Sequence, residues 1–184
     1  YPDRQALSQK YKKFLALNID SHFDVRENKQ RHSGTPYRQL LEEKIISPAN
    51  FFELASQPFA NSEVYSDYLK KKKVTVIPLE QFRKKGVEKT LKGILKASKM
   101  PAIFWGIDMD SVRSSDAPGV SASYPSGLTA EEILSIAAIA GKDKRSRILE
   151  ISEVNPKYDV DGRTCKLAAL AILSFLESYV QLRL

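Results

Sequence analysis

The stretch Phe14-Leu15-Ala16-Leu17-Asn18-Ile19-Asp20-Ser21-His22-Phe23-Asp24 decides how the rest of the chain is read. A short, mostly apolar run ends in carboxylates and an imidazole at alternate positions. A second segment repeats the design: Ala102-Ile103-Phe104-Trp105-Gly106-Ile107 leads into Asp108-Met109-Asp110. Apolar runs of this length read as buried strands of a parallel sheet. Side chains two apart on a strand share a face. If the strands continue, Asp20, His22 and Asp24 point one way, and Asp108 and Asp110 likewise. An aspartate after a strand is commonly a turn former or helix cap, and either segment alone carries that reading. Together, four carboxylates and an imidazole at neighbouring strand ends would repel one another unless cations sat between them. The pair reads as a metal site.

Outward from these segments, strand-like runs alternate with helical patterns, the signature of a parallel α/β sheet. Strands are expected at Phe14 to Ile19, Asn50 to Ser56, Val74 to Pro78, Ala102 to Ile107 and Arg147 to Ser152. Helices are expected at Pro36 to Glu43, Ser62 to Lys71, Leu79 to Ser98, Thr129 to Ala140 and Gly162 to Leu182. Thr129-Ala130-Glu131-Glu132 has the form of a capped helix start, a hydroxyl with an acid three positions on. Ile133, Ile136, Ala137 and Ala140 give that helix its buried stripe. Ligands of open parallel sheets bind outside the carboxyl ends of the strands. Asp20 to Asp24, Asp108 to Asp110 and Glu153-Val154-Asn155-Pro156 all fall just past a strand end, so three acidic clusters land on one rim.

The 184 residues, 42% hydrophobic and 28% charged, suit one globular domain spanning 1–184. The single cysteine, Cys165, excludes an internal disulfide and makes a reducing compartment the default. With no apolar core at the start and no run of about 20 apolar residues, no signal peptide or membrane span is expected, and the expected location is cytoplasmic. The net charge of +7 invites a nucleic-acid reading. The basic residues are dispersed, however, and the densest run, Lys70 to Lys73, reads as a solvated loop opposite the carboxylates. No nucleic-acid motif accompanies it, so neither nucleic acid nor membrane is expected as a partner.

Asp-Xaa-His-Xaa-Asp, then Asp-Xaa-Asp, then Glu-Val-Asn-Pro, in this order and on these strands, resembles the arginase (ureohydrolase) family. Ser33-Gly34-Thr35-Pro36-Tyr37-Arg38, Asp108 to Val112 and Ala117-Pro118-Gly119-Val120-Ser121-Ala122 are most similar to its formimidoylglutamase branch. The resemblance runs from about Phe14 to the C-terminus. It implies a three-layer α-β-α fold with a mainly parallel sheet and a site for two Mn²⁺ ions. Asp20 and Asp108 would bridge the ions, Asp24 would serve the first, and His22 and Asp110 the second. A mostly oxygen donor set with imidazole suits Mn²⁺, and ions about 3.5–4 Å apart can hold a hydroxide between them at neutral pH. Glu153 matches the family glutamate that faces the substrate's cationic group, and Asp110 could pass a proton to the leaving amine.

The implied reaction is hydrolysis of a linear amidine C–N bond, first N-formimidoyl-L-glutamate to L-glutamate and formamide. The same machinery could serve a guanidino substrate such as arginine, agmatine or guanidinobutyrate. Two substrate carboxylates call for cationic donors, for which Arg31, Arg38 and Arg113, with Ser114, are the candidates. Ser121 and Tyr124 could wall the pocket. His32 is a candidate proton donor, with an exposed loop histidine as the alternative. The family also takes a histidine ligand from an upstream Gly-Gly-Xaa-His segment, which this sequence does not contain. A truncated start is therefore expected, leaving a sheet edge and apolar helix faces uncovered. A degenerate relative serving as an interaction subunit is the non-enzymatic alternative, and the family commonly forms homo-oligomers.

Overall fold

The computed structural model describes residues 2–182. Five strands, β1 (Leu15–Ile19), β2 (Phe51–Ser56), β3 (Thr75–Pro78), β4 (Ile103–Asp108) and β5 (Ser146–Ser152), form one parallel sheet in the order β3-β2-β1-β4-β5. All five expected strands are present, with bounds shifted by a residue at most. The chain winds outward from β1 to β3 and then crosses to β4 on the other side. The crevice above β1 and β4 is thus the topological switch point where such sheets bind ligands.

Alternation along each strand builds two cores. Leu15, Leu17 and Ile19, with Ile103, Trp105 and Ile107, pack under α4 (Leu79–Lys85), α5 (Val87–Ala97), α6 (Ala130–Gly141) and α7 (Arg163–Gln181). Phe14, Ala16, Phe51 and Phe104 face α1 (Pro2–Lys10), α2 (Pro36–Glu42) and α3 (Glu63–Lys72). This is the three-layer arrangement. Trp105 is fully buried and its indole N–H donates to Ser146 Oγ at 2.9 Å, so its one polar atom is satisfied inside the core. Burial of a side chain of that size is worth about 3 kcal/mol.

Several sequence expectations change. The helix expected from Leu79 to Ser98 is two, because Gly86 takes φ 84° between α4 and α5, a conformation open to glycine without steric cost. Helix α1 was not expected, having a weak apolar stripe that buries Leu7 and Arg4. The lysine run is not a loop: Lys70, Lys71 and Lys72 form the last turn of α3, where positive charge complements the helix dipole, and Lys73 is its left-handed cap. The capping box of α6 forms as expected: Thr129 Oγ accepts from the Glu132 N–H at 3.1 Å, and Glu132 Oε2 accepts from the Thr129 N–H at 2.7 Å. Strand β5 is a sheet edge, and α7 exposes Leu170, Ile172, Leu173, Leu176 and Val180. Among the described residues no helix is long and apolar enough to cross a membrane.

Candidate metal centre

Strand β1 ends at Ile19, so Asp20 to Asp24 do not reach a common face by strand alternation. A turn brings them together instead. The Asp20 N–H donates to Leu54 O at 3.0 Å, the last rung toward β2, and Asp20 Oδ1 then accepts from the His22 N–H at 2.7 Å. Asp24 has φ 49°, a left-handed conformation that swings its carboxylate back toward Asp20 and Asp108. The second segment behaves alike. Asp108 closes β4, a short 3₁₀ turn follows from Met109 to Ser111, and Asp108 Oδ1 accepts from the Asp110 N–H at 2.9 Å. Each aspartate caps the turn that positions the next ligand candidate.

Donor atoms of Asp20, His22 and Asp110 all lie within 4.8 Å of one another. His22 Nδ1 is 2.9 Å from Asp110 Oδ2 and 3.7 Å from Asp20 Oδ1. Asp24 and Asp108 line the same small cavity of about 100 Å³, which also touches Glu153 and Ser121. A larger cavity of about 340 Å³ opens beside it, reaching from Asp20 and Asp108 past His32 and Arg31 to Glu150. Glu153, at φ 63°, stands where the two meet and accepts a short hydrogen bond from Ser121 Oγ.

The electrostatics match crowded negative charge. Burial, with Asp20 next to it, pushes the Asp108 carboxyl up to about 8. Burial and the neighbouring Asp20 and Asp108 push Asp24 to about 8, and burial raises Asp20 to about 6. Hydrogen bonds to Asp110 and Asp20 push His22 up to about 11. Asp110 is raised by burial, and its Oδ1 is buried without a hydrogen-bond partner. A buried carboxylate oxygen left without a donor costs about 1–3 kcal/mol, and a cation would supply what it lacks. Oxygen-rich donors, one imidazole and no thiolate are the set a hard or borderline cation such as Mn²⁺ prefers. The residues present fit the metal.

The cluster rests on side chains that sequence reasoning missed. Ser21 Oγ donates to Asp110 O at 3.0 Å, tying the two motifs together. Gln57 Nε2 donates to Ser21 Oγ at 2.9 Å and to Ser126 O at 3.0 Å, and Asn61 Nδ2 donates to Ser21 O at 2.8 Å. Ser152 Oγ donates to Asp108 Oδ2 at 2.8 Å. Ser152 could have been flagged by its place at the last strand end, directly before Glu153. Gln57 and Asn61 carry no signal beyond lying after a strand.

The substrate-side candidates divide. Arg31 and His32 line the larger cavity, although Arg31 Nη2 is also 3.1 Å from Glu43. His32 accepts from the Gly34 N–H at Nδ1, 3.1 Å away. Arg38 is not brought to the cavities: its guanidinium lies over the Tyr68 ring and pairs with Glu27 at 3.0 Å. Arg113 also stands apart from them. It pairs with Asp116 at 3.0 Å, held by the local i,i+3 turn, and lines neither cavity. Ser114 gives its backbone N–H to Tyr124 O at 2.7 Å, and the Tyr124 ring packs near His22.

Comparison with known proteins agrees with this architecture. The chain is 34% identical over 181 residues to formimidoylglutamase of Bacillus subtilis, covering 96% of this chain and 57% of that one. The solved structure of that enzyme superposes with a TM-score of 0.92 over 97% of this chain. Formiminoglutamase of Trypanosoma cruzi, solved with Mn²⁺, gives a TM-score of 0.91 at 31% identity, covering 97% of this chain and 61% of that one. The chain thus spans little more than half the length of these relatives. The model of the arginase family matches residues 1–177, and this chain belongs to that family.

Proposed function

We propose that the protein of which this chain is part is a binuclear manganese hydrolase that cleaves the C–N bond of a linear amidine. N-formimidoyl-L-glutamate is the substrate this reading puts first. The observation that carries it is the convergence of Asp20, His22 and Asp110 within 4.8 Å, beside a cavity large enough for a small amino-acid derivative. Relatives named formimidoylglutamase across 88–96% of the chain support the choice of substrate.

When bound, two Mn²⁺ ions supply Lewis acidity and a water activated near neutral pH. The chain's own residues do the rest. Asp20 and Asp108, just past the ends of adjacent strands, would be shared between the ions, His22 and Asp110 would help to hold one, and Asp24 would help to hold the other. Glu153, held in place by Ser121, would pair with the cationic amidine and fix its position in the cavity. Asp110 carries the proton that the amine needs as it leaves as glutamate, with formamide as the second product. Arg31, on the wall of the larger cavity, would meet a substrate carboxylate, and His32 on the same wall is the candidate proton donor. One free cysteine, Cys165, suits a reducing, cytoplasmic setting.

A substrate panel on the Mn²⁺-loaded full-length protein tests this. Formamide and glutamate release from formimidoylglutamate is expected. Urea release from arginine, agmatine or guanidinobutyrate, without formimidoylglutamate turnover, would reassign the substrate to the guanidino class.

A further inference from the structure

One rung below the metal-site carboxylates lies a second row of residues in register across four strands. Asn18 on β1 is paired with Glu53 on β2 and Gly106 on β4, and Gly106 is paired with Glu150 on β5. Residues two apart share a strand face. This row therefore stands directly under Asp20, Asp108 and Ser152, on the face covered by α1 and α2. Arg4 from α1 and Tyr37 from α2 reach down onto it.

The hydrogen bonds along the row have a forced direction. Arg4 Nη2 donates to Tyr37 Oη at 2.8 Å and to Glu150 Oε1 at 3.2 Å. A guanidinium can only donate, so the Tyr37 hydroxyl accepts there and spends its single proton on Asn18 Oδ1, 2.6 Å away. With its oxygen occupied, the Asn18 amide must present its two N–H groups upward and sideways. One goes to Asp20 Oδ2 at 3.3 Å and the other to Glu53 Oε2 at 2.9 Å. The relay is buried: Arg4, Asn18, Tyr37 and Glu53 are each 3% exposed or less. Gly106 makes the space, since a Cβ there would come within 3.0 Å of Tyr37 Oη and 3.1 Å of Asn18 Oδ1.

We infer that Arg4, Tyr37 and Asn18 are positioning residues that orient the Asp20 carboxylate for the metal pair, and that Gly106 is required for the relay to form. This rests on the manganese reading above. The Tyr37 hydroxyl supplies the only donor the relay gives to the Asn18 oxygen. Without it that oxygen is left buried and unpaired, and the amide loses one of the three contacts that fix its angle to Asp20. Partners that orient metal ligands through a hydrogen bond are typically worth about 10–100-fold in affinity.

The test is Mn²⁺ titration by calorimetry, with electron paramagnetic resonance for the spin-coupled pair, on full-length protein and two variants. Tyr37→Phe keeps the ring stacked on Phe51, 4.8 Å between centroids, and keeps Arg4 over its face at 4.7 Å. It is expected to hold its fold by circular dichroism but to bind Mn²⁺ on the order of 10-fold more weakly, with a reduced spin-coupled signal. Gly106→Ala is expected to show the same loss by an independent route, and Tyr37→Trp not to rescue either. Unchanged affinity and an unchanged coupled signal in a folded Tyr37→Phe overturn the inference. Wild-type protein that binds no Mn²⁺ would count against the metal reading itself, and the relay's role would fall with it.

Discussion

His22 Nδ1 lies 2.9 Å from Asp110 Oδ2, so the turn that follows β1 and the 3₁₀ turn that follows β4 are joined by a direct contact between two candidate ligands. In the metal-free protein hydrogen bonds to Asp110 and Asp20 push His22 up to about 11, so the imidazole carries its proton at neutral pH. Asp24 and Asp108, at about 8, also carry protons at neutral pH. A metal needs the imidazole neutral and the carboxylates ionised. Binding Mn²⁺ at pH 7 should therefore release protons, and affinity should rise with pH. Calorimetry in buffers of differing ionisation enthalpy reads the number released. A buffer-independent enthalpy would contradict the prediction.

The ligand roles predict unequal effects of substitution. Asp20→Ala and Asp108→Ala should each abolish tight binding of both ions, a loss of more than about 100-fold. His22→Ala should mainly weaken one. Metal content after desalting distinguishes these outcomes, and equal loss of both ions in all three variants would contradict the shared positions of Asp20 and Asp108.

Glu153 and Ser121 predict a split between turnover and metal binding. Glu153→Gln removes a charge-assisted contact to the cationic amidine, worth about 1.5–3 kcal/mol, so kcat/KM should fall roughly 10- to 100-fold. Ser121→Ala leaves the carboxylate in place but unheld and should cost less than Glu153→Gln. Neither change should move Mn²⁺ stoichiometry, and steady-state kinetics beside metal analysis checks both halves.

Asp159 predicts an acid-dependent loss of stability at the start of α7. Its carboxylate accepts from the Thr164 and Cys165 N–H groups at 3.0 Å each, at the start of α7. Partial desolvation opposes ionisation, but these donors outweigh it and hold the carboxyl far below its usual range. A depressed folded value means the stabilisation is complete above the unfolded pKa near 4 and fades as pH falls through the folded one. Asp159→Ala should cost about 1 kcal/mol at pH 7. The gap from wild type should narrow below about pH 4. Urea melts at pH 7 and pH 3 give the comparison.

Gly119 predicts that the loop from Ala117 to Ala122 depends on the same corner. A Cβ at Gly119 would lie 2.7 Å from Asp159 Cβ and 2.8 Å from its Cα, and the Gly119 N–H donates to Thr164 Oγ1 at 2.8 Å. Gly119→Ala should push the loop off the start of α7 and carry Ser121 away from Glu153. Lower kcat/KM with Mn²⁺ binding retained is the expected result, and unchanged kinetics would sink the idea.

Local pattern was enough for much of this protein. Apolar runs of strand length announced five parallel strands, and the three that end in an acid announced the rim where Asp20, Asp108 and Glu153 gather. Thr129 and Glu132 announced the start of α6, because a capping box needs residues only three apart. The order of the acidic motifs was enough to identify the family. Tertiary structure decided the rest, because it depends on which distant residues meet. Asp24 joins the site through a left-handed turn rather than strand alternation. Arg38 and Arg113 pair with nearby acids, Glu27 and Asp116, rather than lining its cavities. The row of Glu53, Asn18, Gly106 and Glu150 exists only through strand register, and Arg4 meets Glu150 across 146 positions of chain. Sequence spacing governs contacts within a turn or a strand, whereas register and helix docking are settled by burial of the whole core.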